Sequence, residues 1–109
     1  MKIVELIFIE TAKVMKALSD PKRLRIVDML SQGEFCAHNI QKAFQISQPT
    51  LSHDMRVLKE AGITLERREG KNIFYTLNYE SLGALVDRLK TVFAAEDTFL
   101  NDEREDENN

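Results

Sequence analysis

Eight side chains between residues 48 and 71 have the types and spacing needed to contact nucleic acid. The first group combines short hydrogen-bonding side chains with one arginine, namely Gln48, Thr50, Ser52, His53 and Arg56. The second group is basic and consists of Arg67, Arg68 and Lys71. Short donors and acceptors near the start of a helix can reach base edges in the major groove, and basic side chains can neutralise phosphates. Both groups are therefore candidate DNA contacts.

Cys36 and His38 form a Cys-x-His pair that could bind a metal ion. Thiolate and imidazole suit zinc or another soft or borderline metal, but the remaining ligands must come from elsewhere, such as a second subunit. Two alternatives are open. Cys36 is a thiol switch for an oxidant or electrophile if its pKa is lowered, or it is a small buried hydrophobic residue and His38 only begins a helix.

The length and composition fit one domain. The 109 residues are 43% hydrophobic and 30% charged, which favours a single folded unit over residues 1–100 and an acidic, disordered tail over residues 101–109. The single cysteine cannot form an internal disulfide. The longest apolar run is too short to cross a bilayer, and the first residues do not resemble a signal peptide. We therefore expect a cytoplasmic protein without a membrane partner.

The net charge of −3 conceals an uneven distribution. Residues 21–76 hold nine basic and six acidic side chains, a net charge of +3, whereas residues 77–109 hold three basic and nine acidic ones, a net charge of −6. The middle of the chain can therefore face phosphate while the C-terminal part faces solvent. A solvated surface of mixed charge is the alternative interpretation.

Apolar residues at helical spacing predict four helices in the first part of the chain. They run from Lys2 to Leu18, from Pro21 to near Gly33, from about His38 to Phe44, and from the cap Ser47 to Ala61. The first helix carries apolar residues on more than one face, which predicts contact with a second subunit or a central core position. In the fourth helix, Leu51, Met55 and Leu58 share one face and should be buried, so the polar group lies opposite.

After Gly62 the pattern changes from helical to extended. Strands are predicted from Ile63 to Glu69 and from Ile73 to Leu77, with a turn at Glu69-Gly70-Lys71-Asn72 and the basic group at its tip. A fifth helix is predicted from about Tyr79 to Ala95. The chain is thus mainly α with a β-hairpin wing, in the order α-α-α-α-β-β-α, which is typical of a winged helix-turn-helix. A helical bundle with an ordinary polar surface is the alternative.

Three stretches resemble the ArsR/SmtB family of metal-responsive repressors. They are Ala-Leu-Ser-Asp-Pro-Lys-Arg-Leu-Arg-Ile at 17–26, Ser-Gln-Pro-Thr-Leu-Ser-His at 47–53 and Leu-Lys-Glu-Ala-Gly-Ile at 58–63. The similarity covers roughly residues 12–95. It implies a homodimer formed mainly by the first and last helices, and recognition of double-stranded operator DNA by the fourth helix and the wing.

The resemblance also bears on the signal that such a repressor answers. Arsenic-type members begin the third helix with Cys-x-Cys, whereas this chain has Cys36 followed by His38, so an ordinary arsenic sensor is not expected. The family's other common site uses paired Asp and His residues on the last helix, but no histidine lies between Tyr79 and Leu100. A zinc site on that helix is therefore not expected either.

The resulting hypothesis is a sequence-specific DNA-binding repressor, released from its operator by an effector such as a metal bound at Cys36 and His38. The alternatives are a repressor that answers to thiol oxidation or to a signal other than a metal. An enzyme is not expected, because the chain has neither a glycine-rich phosphate loop nor a hydrolase-type His pair. The alternative from another class is a protein-interaction module that does not bind DNA.

Overall fold

The computed structural model describes the backbone of residues 2–108 and the side chains of residues 2–94. The described chain forms the five helices that the sequence predicts and three short strands, one strand more than expected. In chain order the elements are α1 (Ile3–Leu18), α2 (Pro21–Leu30), β1 (Phe35–Cys36), α3 (Ala37–Phe44), α4 (Gln48–Glu60), β2 (Thr64–Glu69), β3 (Asn72–Leu77) and α5 (Tyr79–Asn108). The predicted fold class is confirmed.

Side-chain caps and prolines fix the starts of α2 and α4. The Asp20 carboxylate accepts a hydrogen bond of 3.0 Å from the Arg23 backbone N–H, and Pro21 occupies the first turn. In the same way the Ser47 hydroxyl accepts from the Thr50 N–H at 3.3 Å, at the start of a helix that has Pro49 in its first turn. A cap satisfies N–H groups that lack a partner in the first turn, and proline loses no hydrogen bond there. Both predicted helix starts are confirmed.

A short turn joins α3 to α4. Gln45 ends α3 in the left-handed region, with a φ of 52°. The Ile46 N–H then donates to the Gln41 carbonyl at 3.2 Å, which closes the last turn of α3. Because only Gln45, Ile46 and Ser47 connect the two helices, the direction of α4 relative to α3 is fixed locally.

The strands form one antiparallel sheet in the order β1-β3-β2. The hairpin of β2 and β3 turns at Gly70, whose φ of 61° glycine adopts without steric cost. The expectation of two strands was incomplete, because β1 adds an outer strand in which Phe35 lies opposite Tyr75 and Cys36 opposite Phe74. Two residues are too few to show an alternating pattern, so this strand exists through its pairing with β3 rather than through local sequence.

The core lies where the five helices meet the base of the hairpin, and it includes Val14 and Ala17 of α1 and Leu85 of α5. Its fully buried side chains are Ile26, Leu30, Ile40, Leu58 and Ile63. The predicted buried face of α4 is confirmed, because Leu51, Met55 and Leu58 are all buried. Packing of this face fixes which side of α4 is presented to solvent.

Helix α1 is only partly buried, and α5 is longer than the sequence predicts. The first half of α1 leaves apolar side chains exposed, whereas α5 runs past Ala95, the residue at which the sequence predicts its end. No glycine or proline follows Gly83 in the sequence to mark an earlier end. The predicted acidic tail, residues 101–109, lies outside the side chains that the structure describes, and its disorder stays a prediction. Among the described helices, none has the length and apolar character needed to span a membrane.

Candidate nucleic-acid interface

The first turns of α4 present the predicted polar group to solvent. Gln48, His53 and Arg56 are exposed, and Thr50 and Ser52 are half-buried. The Gln48 amide donates to the Ser52 hydroxyl at 2.9 Å, which holds two of these side chains side by side. The backbone N–H groups of the first turn add a partial positive charge at the same end of the helix. This end of α4 therefore offers hydrogen-bonding groups and a favourable potential for an anionic partner.

Arg56 of α4 and Arg68 of β2 line one groove between the helix and the hairpin, which we call the α4–wing groove. Its volume is about 260 Å³, and Ser52 lines it as well. An ion pair of 2.7 Å between Lys59 Nζ and Glu66 Oε1 joins α4 to β2 beside the two arginines. Within the described side chains neither arginine has an ion-pair partner of its own. The groove therefore combines two predicted contact groups that are far apart in sequence.

Arg67 is held by neighbouring side chains instead of projecting freely from the hairpin. Its guanidinium donates to Glu34 Oε1 at 2.7 Å and to Glu69 Oε2 at 2.6 Å, and it lies 4.5 Å from the centre of the Phe74 ring. The hydrogen bond from Arg67 lowers the pKa of Glu34, and the same bonds raise the pKa of Arg67. Arg67 therefore ties the segment before β1 to the hairpin, whereas Lys71 is exposed at its tip.

Asp54 is a functional candidate that the sequence reasoning missed. It lies on the inner face of α4 and is 2% exposed. Lys22 Nζ is 2.9 Å from Oδ2 and Arg23 Nη1 is 3.4 Å from Oδ1, and Arg23 Nε also donates to the Ala17 carbonyl at 2.7 Å. These contacts connect the end of α1, the start of α2 and the middle of α4. The sequence contained one indication of this role, because Asp54 is a charged residue at a core position, three residues after Leu51.

Cys36 and His38 lie at the junction of β1 and α3. Cys36 is a free, half-buried thiol at the N-cap position of α3, and His38 is exposed in the first turn. The described part of the chain contains no cluster of three or more His, Cys, Asp or Glu side chains that could hold a metal ion. Two donors from one chain do not fit a complete metal site, since zinc takes four ligands.

Taken together, these features define a class of protein. Helices α3 and α4 are joined by a tight turn, the second helix presents a polar face, and a hairpin with basic residues stands beside it, which is a winged helix-turn-helix DNA-binding domain. A family model described as "Bacterial regulatory protein, arsR family" matches residues 20–63. The chain belongs to the ArsR family, as the sequence resemblance predicts.

Similar proteins agree with this assignment. The arsenical resistance operon repressor of Staphylococcus xylosus is 42% identical over 83 residues, which cover 76% of this chain and 80% of that protein. The crystal structure of the transcriptional repressor BigR from Xylella fastidiosa is 41% identical, covers 83% of this chain and 92% of that one, and has a TM-score of 0.64.

A solution structure from Mycobacterium bovis is also similar. It is described as a homodimeric winged helix-turn-helix DNA-binding domain of a possible ArsR-family regulator. It is 30% identical, covers 88% of both chains and has a TM-score of 0.71. The family and its structural neighbours are DNA-binding regulators, so the chain is a regulator of this kind and not an enzyme, as the sequence predicts.

Proposed function

We propose that the protein is a dimeric repressor that binds double-stranded operator DNA through α4 and the hairpin wing. The observation that carries this proposal is the α4–wing groove, where Ser52, Arg56 and Arg68 lie together on one exposed surface. A helix in the major groove and a wing on the flanking backbone require this proximity of hydrogen-bonding and basic groups. We also propose a cytoplasmic location, because a repressor must reach its operator DNA.

Different residues take different parts in this proposal. The side chains at the start of α4 are positioned to contact base edges, namely Gln48, Thr50, Ser52 and His53. Arg56 contacts a base or a phosphate, and Arg68 and Lys71 hold the flanking backbone or minor groove. Arg67, already engaged by two carboxylates, acts on DNA through the position of the wing.

The proposal is tested by fluorescence anisotropy with a labelled duplex from upstream of the protein's own gene. We expect Arg56→Ala and Lys71→Ala to weaken binding, by about 1–3 kcal/mol only where a bidentate base contact is lost and by less where a phosphate contact is lost. Lys90→Ala, which removes an exposed charge from α5, is the matched control. Unchanged affinity in both test variants would remove this surface from the interface.

We further propose that the dimer forms through α1 and α5. Exposed apolar side chains of α1, such as Val4, Ile7 and Phe8, line a groove against Val92 of α5. Contiguous exposed apolar side chains are typical of a surface that another protein surface covers, and the similar structure from Mycobacterium bovis is described as homodimeric. Two-fold symmetry then places one copy of α4 in each half of a palindromic site.

The names of relatives and the position of Cys36 both bear on the effector. Relatives are named for arsenical resistance and, in a Staphylococcus aureus protein 41% identical over 80 residues, for cadmium resistance. We propose that the signal acts at Cys36, because β1 connects this thiol directly to β3 of the wing. A change at Cys36 would therefore alter the wing through one strand pairing. Metal ligation needs donors beyond Cys36 and His38, whereas thiol modification does not.

The same titration distinguishes these signals. Wild type and Cys36→Ser are compared with and without zinc, cadmium and copper(I), and separately after treatment with hydrogen peroxide. Release by a metal only in the wild type supports a metal effector, and release by peroxide only in the wild type supports a thiol switch. Binding that ignores every treatment contradicts a sensing role for Cys36 and leaves the DNA-binding proposal standing.

A further inference from the structure

A second basic surface lies beside α4, on the side opposite the wing. The end of α1 and the length of α4 enclose a cleft of about 370 Å³, which we call the α1–α4 cleft. Lys13 and Lys16 line it from α1, and His53 and Glu60 line it from α4. Because Lys13 and Lys16 are three residues apart on a helix, both side chains lie over the same face and reach the same cleft.

The lysines of the cleft are available for a ligand. Arg23, which also lines the cleft, is engaged by Asp54 and by the Ala17 carbonyl. Lys13 and Lys16, by contrast, are exposed and have no ion-pair partner among the side chains described. The cleft thus presents two uncommitted ammonium groups against one carboxylate, that of Glu60. Its charge suits an anion that can approach from solvent, such as a phosphate group.

His53 connects this cleft to the proposed DNA-binding surface. It is one of the exposed residues at the start of α4, and it also lines the α1–α4 cleft. A duplex seated against the first turns of α4 therefore brings its backbone close to the opening of the cleft.

We propose that Lys13 and Lys16 bind backbone phosphates of the DNA, so that α1 is part of the DNA-binding surface. This inference rests on the proposed function and extends it to an element outside the helix-turn-helix and the wing. The contacts are independent of sequence, because a phosphate is the same at every step of the duplex. They fix the position of the dimer along the backbone, while the face of α4 reads the bases.

The test is the salt dependence of binding for Lys13→Gln, Lys16→Gln and the double variant, on upstream DNA and on an unrelated duplex. Each lysine is present twice in a dimer, so we expect the slope of log K against log salt to become shallower by about 2 for each substitution. The loss of affinity should be equal on the two duplexes. Glu60→Gln removes the competing carboxylate and should tighten binding at low salt on both.

Lys90→Gln is the matched control, because it makes the same charge change on α5 away from the cleft. An unchanged slope in the double variant, while wild type binds, overturns the inference. A slope change that Lys90→Gln reproduces also overturns it, because net charge alone then explains the effect. If wild type binds neither duplex, the proposed function fails instead, so the two failures are distinguishable.

Discussion

Asp54 links the proposed DNA-binding surface to the rest of the protein. Its carboxylate is nearly inaccessible to solvent and is neutralised by Lys22 and Arg23 at the start of α2. A buried charge without a partner is costly, so the ion pairs restrict α4 to orientations in which both cations remain in reach. The exposed face of α4 is thereby held at a defined angle to α2.

We expect Asp54→Asn to lower the free energy of unfolding by about 1–3 kcal/mol. The substitution neutralises a buried carboxylate, so its ion pairs with Lys22 and Arg23 are lost. Urea unfolding followed by circular dichroism measures the change. Glu66→Gln, which breaks the more exposed pair with Lys59, is the control and should cost less than about 1 kcal/mol. Equal losses in the two variants would show that burial of Asp54 adds nothing.

Arg67 illustrates how a residue with the right charge can have a different role. The sequence places it with Arg68 and Lys71 in one basic group, and the type of residue alone does not separate them. In the structure its guanidinium is occupied by Glu34 and Glu69. Its direct contact with DNA stays a prediction, and the intramolecular contacts support a structural role.

At the scale of elements, the wing is a hairpin strengthened by a third strand. β1 pairs with β3 on the edge opposite β2, and the Glu34–Arg67 contact joins the segment before β1 to β2 on the far side of β3. An isolated two-stranded hairpin is only marginally stable in water, and a third strand provides additional backbone hydrogen bonds. The position of the wing therefore depends on a segment that precedes α3.

The Glu34–Arg67 contact predicts a pH dependence. Because the pKa of Glu34 is lowered in the folded protein from its ordinary value of 4.5, its contribution to stability is present above that value. It is lost as the pH falls through the lowered pKa of the folded state. We expect Glu34→Gln to be less stable than wild type at neutral pH, with a difference that disappears under acidic conditions.

Thermal unfolding of both proteins across this pH range measures the effect. The same substitution at Glu80, an exposed residue in the first turn of α5, is the control for a general change in surface charge. A difference between wild type and Glu34→Gln that persists at a pH well below 4.5 would contradict an ionic origin.

At the scale of the whole molecule, α1 serves two proposed surfaces. Its first half exposes apolar side chains, including Phe8 at 55%, whereas its last turns carry Lys13 and Lys16 beside α4. A helix that is apolar at one end and basic at the other can join two subunits and approach DNA between their recognition helices. In the proposed assembly, α1 alone connects the dimer interface to the proposed DNA-binding surface.

We expect Phe8→Glu to convert the dimer to a monomer, because it introduces a charge into an apolar interface. Size-exclusion chromatography with light scattering measures the oligomeric state, and circular dichroism checks that the fold is retained. Leu65→Glu is the matched control, because Leu65 is exposed to a similar extent, 52%, but lies on β2. A Phe8→Glu variant that remains a dimer would place the interface elsewhere.

Local signals in the sequence predict most of the elements. Caps and prolines at Asp20-Pro21 and Ser47 to Pro49 determine where α2 and α4 begin, because they satisfy backbone groups of the first turn within a few residues. After Gly62 the spacing of apolar residues changes from helical to extended, and this change predicts the hairpin. This signal is also local, because the spacing involves only residues close together in the sequence. The polar face of α4 also follows from the spacing of its buried residues.

The sequence by itself thus determined the first four helices, the start of α5, the hairpin and the candidate contacts of α4, because these depend on neighbours along the chain. Only the tertiary structure decided how Arg67 is paired, where β1 pairs, and that Asp54 is buried between Lys22 and Arg23. It also brought Lys13 and Lys16 of α1 beside His53 of α4. These contacts join residues distant in sequence, and they depend on how the helices pack, which no local pattern encodes.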